Sequence, residues 1–114
     1  MKKVIIKEID YKNQTYPTVG NYTEYHGYWL IEVSKVKGYV KNEIELKAVA
    51  LHELIEMWLT EMRGIKDEDI VAWDKKFIDH DGEPGEIKGA PYFKEHKLAN
   101  KIEKLFIKEC QKKI

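Results

Sequence analysis

The spacing of the apolar residues changes at Asn42, and this change restricts the chain to a small set of folds. Before Asn42, β-branched and tyrosine-rich runs are separated by turn residues, and the most strand-like run is Tyr28–Val33. After Asn42, apolar residues recur every three or four positions, as they do in amphipathic helices. Strands followed by helices are typical of an α+β fold. We therefore predict a small antiparallel sheet in residues 1–41 and helices in residues 42–114.

Size and composition predict a single domain over residues 1–114. The chain is 43% hydrophobic, which is too apolar for a disordered tail. Its one cysteine, Cys110, excludes an internal disulfide and fits a reducing compartment. The first apolar run, Val4-Ile5-Ile6, is too short for a secretory leader. No segment has the roughly 20 apolar residues that span a bilayer, so we expect a cytoplasmic protein without a membrane partner.

The charges are abundant but balanced. Lysine and arginine together number 20, and aspartate and glutamate also number 20. A chain without net charge lacks the overall field that draws proteins to nucleic acid. The lysines near the end of the chain are typical of a solvated helix face. Nucleic acid is therefore not an expected partner.

Capping signals divide the second part of the chain into three helices. Asn42 can cap the first helix, and Arg63-Gly64 can end it. A short second helix is predicted over residues 67–78 and a last helix over residues 92–110. The segment between these two, residues 80–91, is rich in turn residues and is predicted to be a loop.

The predicted helices carry polar side chains on faces that should be buried. At about 100° per residue, His52 and Glu56 lie one turn apart within the apolar arc of the first helix, and Glu53 lies at its edge. In the last helix, His96 falls in the apolar row and Glu103 follows two turns later. A buried imidazole or carboxylate costs several kcal/mol unless it is paired or binds something. These polar groups therefore point to a site between the helices.

Three further side chains are candidates for additional ligands or for hydrogen-bond partners of the imidazoles. Asp74 lies on the apolar side of the second helix, where it is a ligand, a partner that orients an imidazole, or a polar group at the helix edge. Glu103 is a candidate because it lies two helical turns after His96 on the same face of the last helix. His80 opens the acidic loop, which is either solvated or folds over the site as a lid or a source of a ligand.

The segment His52-Glu53-Leu54-Ile55-Glu56 has the form H-E-x-x-E. It differs by one ligand from H-E-x-x-H, in which two side chains one turn apart bind zinc and the glutamate between them activates a water. Carboxylates bind Zn²⁺ as readily as imidazoles do, so Glu56 is an acceptable ligand. Without a metal, His52 and Glu56 form a buried hydrogen-bonded pair or lie on the surface, and Glu53 is an ordinary solvated glutamate.

The helix around this motif resembles the active-site helix of zincin-like metallopeptidases. The last helix resembles the second metal-binding helix of a compact branch of that family, the repressor-cleaving peptidases of mobile elements. In that branch an acidic ligand stands three residues before an Ala-Asn pair, and here His96 stands three residues before Ala99-Asn100. The resemblance covers roughly residues 43–107 and extends to small phage and mobile-element proteins. It implies a zincin-like fold with a sheet that leads into the motif helix.

The resemblance implies that His52, Glu56 and His96 hold Zn²⁺ or another divalent transition metal, while Glu53 accepts a proton from a water. The histidine and the acidic ligand have exchanged positions, but the set of two histidines and one carboxylate is kept. We therefore expect a zinc-dependent, peptidase-like hydrolase whose protein or peptide substrate pairs with Tyr28–Val33 as an edge strand. The alternative is a non-catalytic phage or mobile-element binding module with a structural or vestigial metal site.

Overall fold

The computed structural model describes residues 1–112 and has the predicted order of strands followed by helices. This order confirms the α+β fold class. No helix in the described range is both long enough and apolar enough to cross a membrane. The strands are β1 (Val4–Glu8), β2 (Gly20–Tyr25) and β3 (Tyr28–Val33), and the helices are α1 (Glu43–Met62), α2 (Asp67–Lys76) and α3 (Phe93–Gln111).

The sheet is mixed, which corrects the expectation of purely antiparallel pairing. Its order is β1-β3-β2, and β3 is antiparallel to β2 but parallel to β1. The turn His26-Gly27 has positive φ at both residues, 49° and 84°, as a tight hairpin requires. In contrast, the connection between β1 and β2 is long enough to carry the chain across β3. The expectation that Tyr28–Val33 is an edge strand is wrong, because both sides of β3 are paired.

Helix α1 begins and ends where its capping signals predict. The side chain of Asn42 accepts a hydrogen bond of 2.9 Å from the backbone N–H of Glu45. At the other end, Arg63 is the C-cap residue, and Gly64, the first residue after it, has a φ of 68°. These two ends fix which residues face the interior.

Helix α2 is shorter than predicted and ends at Lys76. The apolar residues Phe77 and Ile78 continue the helical pattern in the sequence but lie beyond its end. Phe77 packs against the ring of Trp73, with the ring centroids 4.5 Å apart, while Ile78 is exposed. Since Ile78 gains no buried contact, nothing in the packing favours another helical turn there.

The main core lies between the sheet and α1, and α1 also contacts α3. A smaller apolar cluster joins α2 to the loop and the start of α3 through Ile70, Ala90 and Tyr92. Helix α1 therefore carries both a face that packs on the sheet and a polar stretch that meets α3. The buried side chains of the main core are Tyr22, Trp29, Ile31, Val33, Val40, Leu46, Val49, Ala50 and Met57.

Two methionines of α1 provide a test of its orientation. Met57 is fully buried in the core, whereas Met62 is 80% exposed. We predict that Met57→Ala lowers the free energy of unfolding by about 2–5 kcal/mol, because it leaves a cavity in the core. Met62→Ala should change it by less than about 0.5 kcal/mol. Urea denaturation measures both, and equal losses would show that α1 presents a different face to the sheet.

Candidate metal centre

Two imidazoles meet at one buried carboxylate between α1 and α3. Oε2 of Glu56 lies 3.1 Å from Nε2 of His52 and 2.8 Å from Nδ1 of His96. The two rings stand nearly edge to face, with centroids 4.8 Å apart. All three residues are no more than 5% exposed. The fold therefore brings together the three residues that the resemblance implies as ligands.

Contacts on either side of His96 hold it at this position. The preceding residue, Glu95, is buried and forms an ion pair of 2.6 Å with Arg63, which ties the start of α3 to the end of α1. On the loop side, Gly85 packs directly on the imidazole. A Cβ at Gly85 would lie 2.7 Å from Cγ of His96 and 2.8 Å from the ring of Tyr92. The loop must therefore carry a glycine to approach the site so closely.

The second nitrogen of each imidazole faces another carboxylate. Oε1 of Glu103 lies 2.9 Å from Nδ1 of His52, and Oε2 of Glu83 lies 2.7 Å from Nε2 of His96. Neither nitrogen has an aligned hydrogen-bond partner among residues 1–112, although both are buried. Buried nitrogens are normally satisfied. Each nitrogen therefore pairs with a carboxylate by distance alone, and a neutral imidazole at either place has a ring nitrogen that can bind a cation.

The residues fit a metal ion on a second criterion, the proximity of their ligand atoms. One ligand atom from each of His52, Glu83 and His96 lies within 4.8 Å of the others, and this set has Glu83 where the sequence predicts Glu56. Imidazole and carboxylate are both zinc ligands. Glu103 is placed where carboxylates orient metal-binding imidazoles, on the nitrogen of His52 that faces away from Glu56.

Glu83 is the site residue that the sequence did not single out. The acidic loop is predicted to be either solvated or folded over the site as a lid or a source of a ligand, and His80 is the residue of it that the sequence singles out. Helical periodicity predicts which residues share a face, whereas the path of a loop has no such repeat. The signal present in the sequence is Pro84-Gly85 directly after Glu83, a pair that predicts a tight turn.

The predicted catalytic residue, Glu53, lies on the wall of the site against β2. A Cβ at Gly20 would lie 2.8 Å from Oε1 of Glu53, so the glutamate packs on the backbone of the strand. Burial and the neighbouring charge of Glu56 raise the pKa of Glu53. The structure thus places a carboxyl of high proton affinity beside the two imidazoles.

The other two candidates, Asp74 and His80, do not contact the two imidazoles. Asp74 accepts a hydrogen bond from the hydroxyl of Tyr92, and burial raises the pKa of Asp74 to about 6 although this hydrogen bond opposes the shift. His80 is exposed in the loop. Among residues 1–112, neither side chain forms a hydrogen bond or an ion pair with His52 or His96.

The imidazoles and carboxylates shift one another's proton affinity. Burial alone would lower the pKa of both histidines, but the carboxylates of Glu103 and Glu56 raise the pKa of His52 to about 11. Likewise, Glu56 and Glu83 overcome burial and raise the pKa of His96 to about 9. Burial would raise the pKa of Glu56, but its hydrogen bonds with both imidazoles lower it. Without a metal, the cluster is therefore a buried network of ion pairs.

The cluster borders a cavity of about 610 Å³. Its walls come from all three helices, from the segment that leads into β2, from the segment before α1, and from the loop before α3. Seven carboxylates line it, and no lysine or arginine of residues 1–112 does so. Since the chain as a whole is neutral, this distribution makes the cavity a local region of negative potential that favours cations.

Comparisons with models of known protein families, with curated proteins and with solved structures found no match to this chain. The interpretation of the site therefore depends on its geometry and chemistry. The similarity of the motif helix to zincin-like metallopeptidases stays a prediction.

The ion pairs predict how the stability of the metal-free protein depends on pH. Folding raises the pKa of His96 from 6.5 to about 9, so its protonated form stabilises the fold below pH 6.5 and this stabilisation is lost as the pH rises through about 9. With a chelator present, the free energy of unfolding of the wild type should fall between these pH values, and that of His96→Gln should fall less. Urea denaturation across this pH range measures both slopes.

The matched control for this measurement is His80→Gln. His80 is exposed and forms no ion pair with the cluster within the described chain. This variant should keep the wild-type slope. A wild-type slope in His96→Gln would show that His96 does not gain its proton affinity from Glu56 and Glu83.

Proposed function

We propose that the protein is a zinc-dependent, peptidase-like hydrolase of zincin-like type. The observation that carries this proposal is the convergence of two buried imidazoles from different helices on Glu56, beside a cavity that also contains Glu53. A structural network alone has no need of an accessible cavity or of a further carboxyl of raised pKa. Clusters of this kind, with perturbed proton affinities in a concave site, are typical of functional sites.

The donor atoms suit a catalytic zinc site. Two imidazoles and one carboxylate are a common ligand set for catalytic zinc, which keeps a further position for water or substrate. In the proposal, His52, Glu56 and His96 hold the metal. The contacts of 3.1 and 2.8 Å at Glu56 compare with the spacing of about 3.3 Å between ligands in a tetrahedral zinc site. The imidazoles lose their protons when the metal binds.

Glu53 is the general base in this proposal. Bound zinc supplies a water of lowered pKa and polarises the substrate carbonyl. Glu53 lies next to His52 in α1 and accepts the proton of the attacking water. The same carboxyl can then return this proton to the leaving amine.

The walls of the cavity favour an extended, cationic peptide. β2 is an edge strand, and the segment that leads into it lines the cavity. An extended peptide can add to such an edge through main-chain hydrogen bonds. The seven carboxylates of the wall and the absence of lysine and arginine from it within residues 1–112 favour substrates with basic side chains.

A second candidate function is a non-catalytic binding module with a structural metal. Glu83 is the observation that favours it, because its carboxylate lies 2.7 Å from Nε2 of His96. Glu83 contacts the nitrogen of His96 that faces away from Glu56, so with His52 and His96 it forms a ligand set in place of Glu56. A metal held there would tie the loop to α1 and α3, as a structural metal does.

Metal binding predicts a change in thermal stability. At 100 times the Kd, zinc that binds only the native state adds about 2.7 kcal/mol, which corresponds to roughly 10 °C in Tm for a domain of this size. Melting curves at pH 7.5 with zinc and with a strong chelator should differ by this amount for the wild type and for His80→Ala. His96→Ala should respond much less. An equal chelator effect in His96→Ala would remove His96 from the ligand set.

Hydrolysis itself is tested at Glu53. Glu53→Gln should bind zinc as the wild type does but cleave peptides with basic side chains at least about 100-fold more slowly, because it cannot accept a proton. Elemental analysis measures the zinc, and mass spectrometry of a peptide mixture measures cleavage. Glu45→Gln, at another carboxylate of the same cavity, is the control. If the zinc-loaded wild type cleaves nothing, the binding module is the better assignment.

A further inference from the structure

A second polar cluster lies in the wall of the cavity, apart from the imidazoles. The carboxylate of Asp74, on α2, accepts a hydrogen bond from the hydroxyl of Tyr92, and the hydroxyl of Tyr16 reaches the same carboxylate. All three residues line the cavity. This group, which we call the Asp74 cluster, combines one carboxylate with two phenol rings.

The fold supplies no cation to the carboxylate of this cluster. Within residues 1–112, Asp74 forms no ion pair. It is half-buried, and burial raises its pKa to about 6 although the hydroxyls of Tyr92 and Tyr16 oppose this shift. A carboxylate taken partly out of water is less stable without a counter-charge than with one. A cationic group that enters the cavity would therefore find an unpaired anion there.

The walls around the cluster are rich in tyrosine. Five of the seven tyrosines of the chain line the cavity, namely Tyr11, Tyr16, Tyr22, Tyr39 and Tyr92. The face of a tyrosine ring attracts cations, and a planar guanidinium stacks on such a ring while it pairs with a carboxylate. Aromatic rings around a carboxylate therefore suit the side chain of arginine.

The Asp74 cluster is fixed in place beside the candidate metal centre. Nε1 of Trp73, the residue before Asp74, donates a hydrogen bond of 2.9 Å to the carbonyl oxygen of Pro84 and so ties α2 to the loop. The ring of Tyr92 stands edge-on to that of His96, with the ring centroids 6.0 Å apart. The cluster is therefore close enough to the metal centre for one bound peptide to occupy both.

We propose that Asp74, with the rings of Tyr16 and Tyr92, forms a subsite that binds an arginine side chain of the peptide. This inference rests on the proposed function and deepens it, because it assigns the preference for basic substrates to one recognition residue. Asp74 determines specificity here and takes no part in the chemistry at the metal. The competing explanation is that Asp74 only orients Tyr92, while the carboxylates of the cavity attract cations collectively.

The test measures peptide binding by isothermal titration calorimetry at pH 7.5, with the full chain carrying Glu53→Gln so that the peptides stay intact. Two capped pentapeptides differ only at their central residue, which is arginine or its uncharged isostere citrulline. We expect the arginine peptide to bind at least about tenfold more tightly. Addition of Asp74→Asn should reduce this ratio below about threefold, because asparagine keeps an acceptor for Tyr92 but loses the charge.

The matched control is Asp67→Asn. Asp67 belongs to the same helix and lines the same cavity, but within residues 1–112 it forms no hydrogen bond with Tyr16 or Tyr92. This variant removes the same charge and should keep the arginine-to-citrulline ratio. An equal loss in both variants would show that only the total charge of the cavity matters. A ratio that Asp74→Asn leaves unchanged, or no preference for arginine at all, would likewise overturn the subsite.

Zinc uptake and peptide cleavage by the wild type separate this inference from the proposed function. If the wild type takes up no zinc or cleaves nothing, but the arginine preference depends on Asp74, the hydrolase is wrong and the subsite belongs to a binding module. If the wild type cleaves the arginine and citrulline peptides with equal kcat/KM, the hydrolase stands and the subsite is wrong.

Discussion

The carboxylate of Glu56 is the buried charge on which the arrangement of the helices depends. It is 4% exposed and lies between two imidazoles. A carboxylate taken out of water is strongly destabilising unless it is paired, and removal of one partner leaves an uncompensated charge. His52 is available within α1, but His96 must come from α3. The two helices therefore have to pack in a register that brings His96 to Glu56.

A second ion pair supports this register. Arg63 at the end of α1 contacts the buried carboxylate of Glu95, the residue before His96. At the start of α3, Glu95 thus pairs with a cation of α1, and the next residue, His96, pairs with an anion of α1. This alternation discriminates against a shift of α3 by one residue, because a shift would place like charges together. Electrostatic pairing, in addition to apolar packing, specifies how these helices meet.

The parts of the fold that follow local rules could be predicted from the sequence. Caps at Asn42 and Arg63 bound α1, and helical spacing places His52 and Glu56 on one buried face. Long-range features could not be predicted in the same way. The parallel pairing of β1 with β3 and the position of Glu83 both depend on the path of a connecting segment. No periodic pattern in the sequence signals such a path. Spacing along α3 pointed to Glu103 but not to its contact with His52.

Two glycines shape the site by the absence of a side chain. Neither Gly20 nor Gly85 has a positive φ, so backbone conformation does not require a glycine at either position. A Cβ at Gly20 would come within 2.8 Å of Glu53, and one at Gly85 within 2.7 Å of His96. The two positions thus define the outline of the site, whereas H-E-x-x-E defines its chemistry. A search signature that combines glycine at both positions with this motif would select chains that can build the same site, rather than chains that merely repeat its donor atoms.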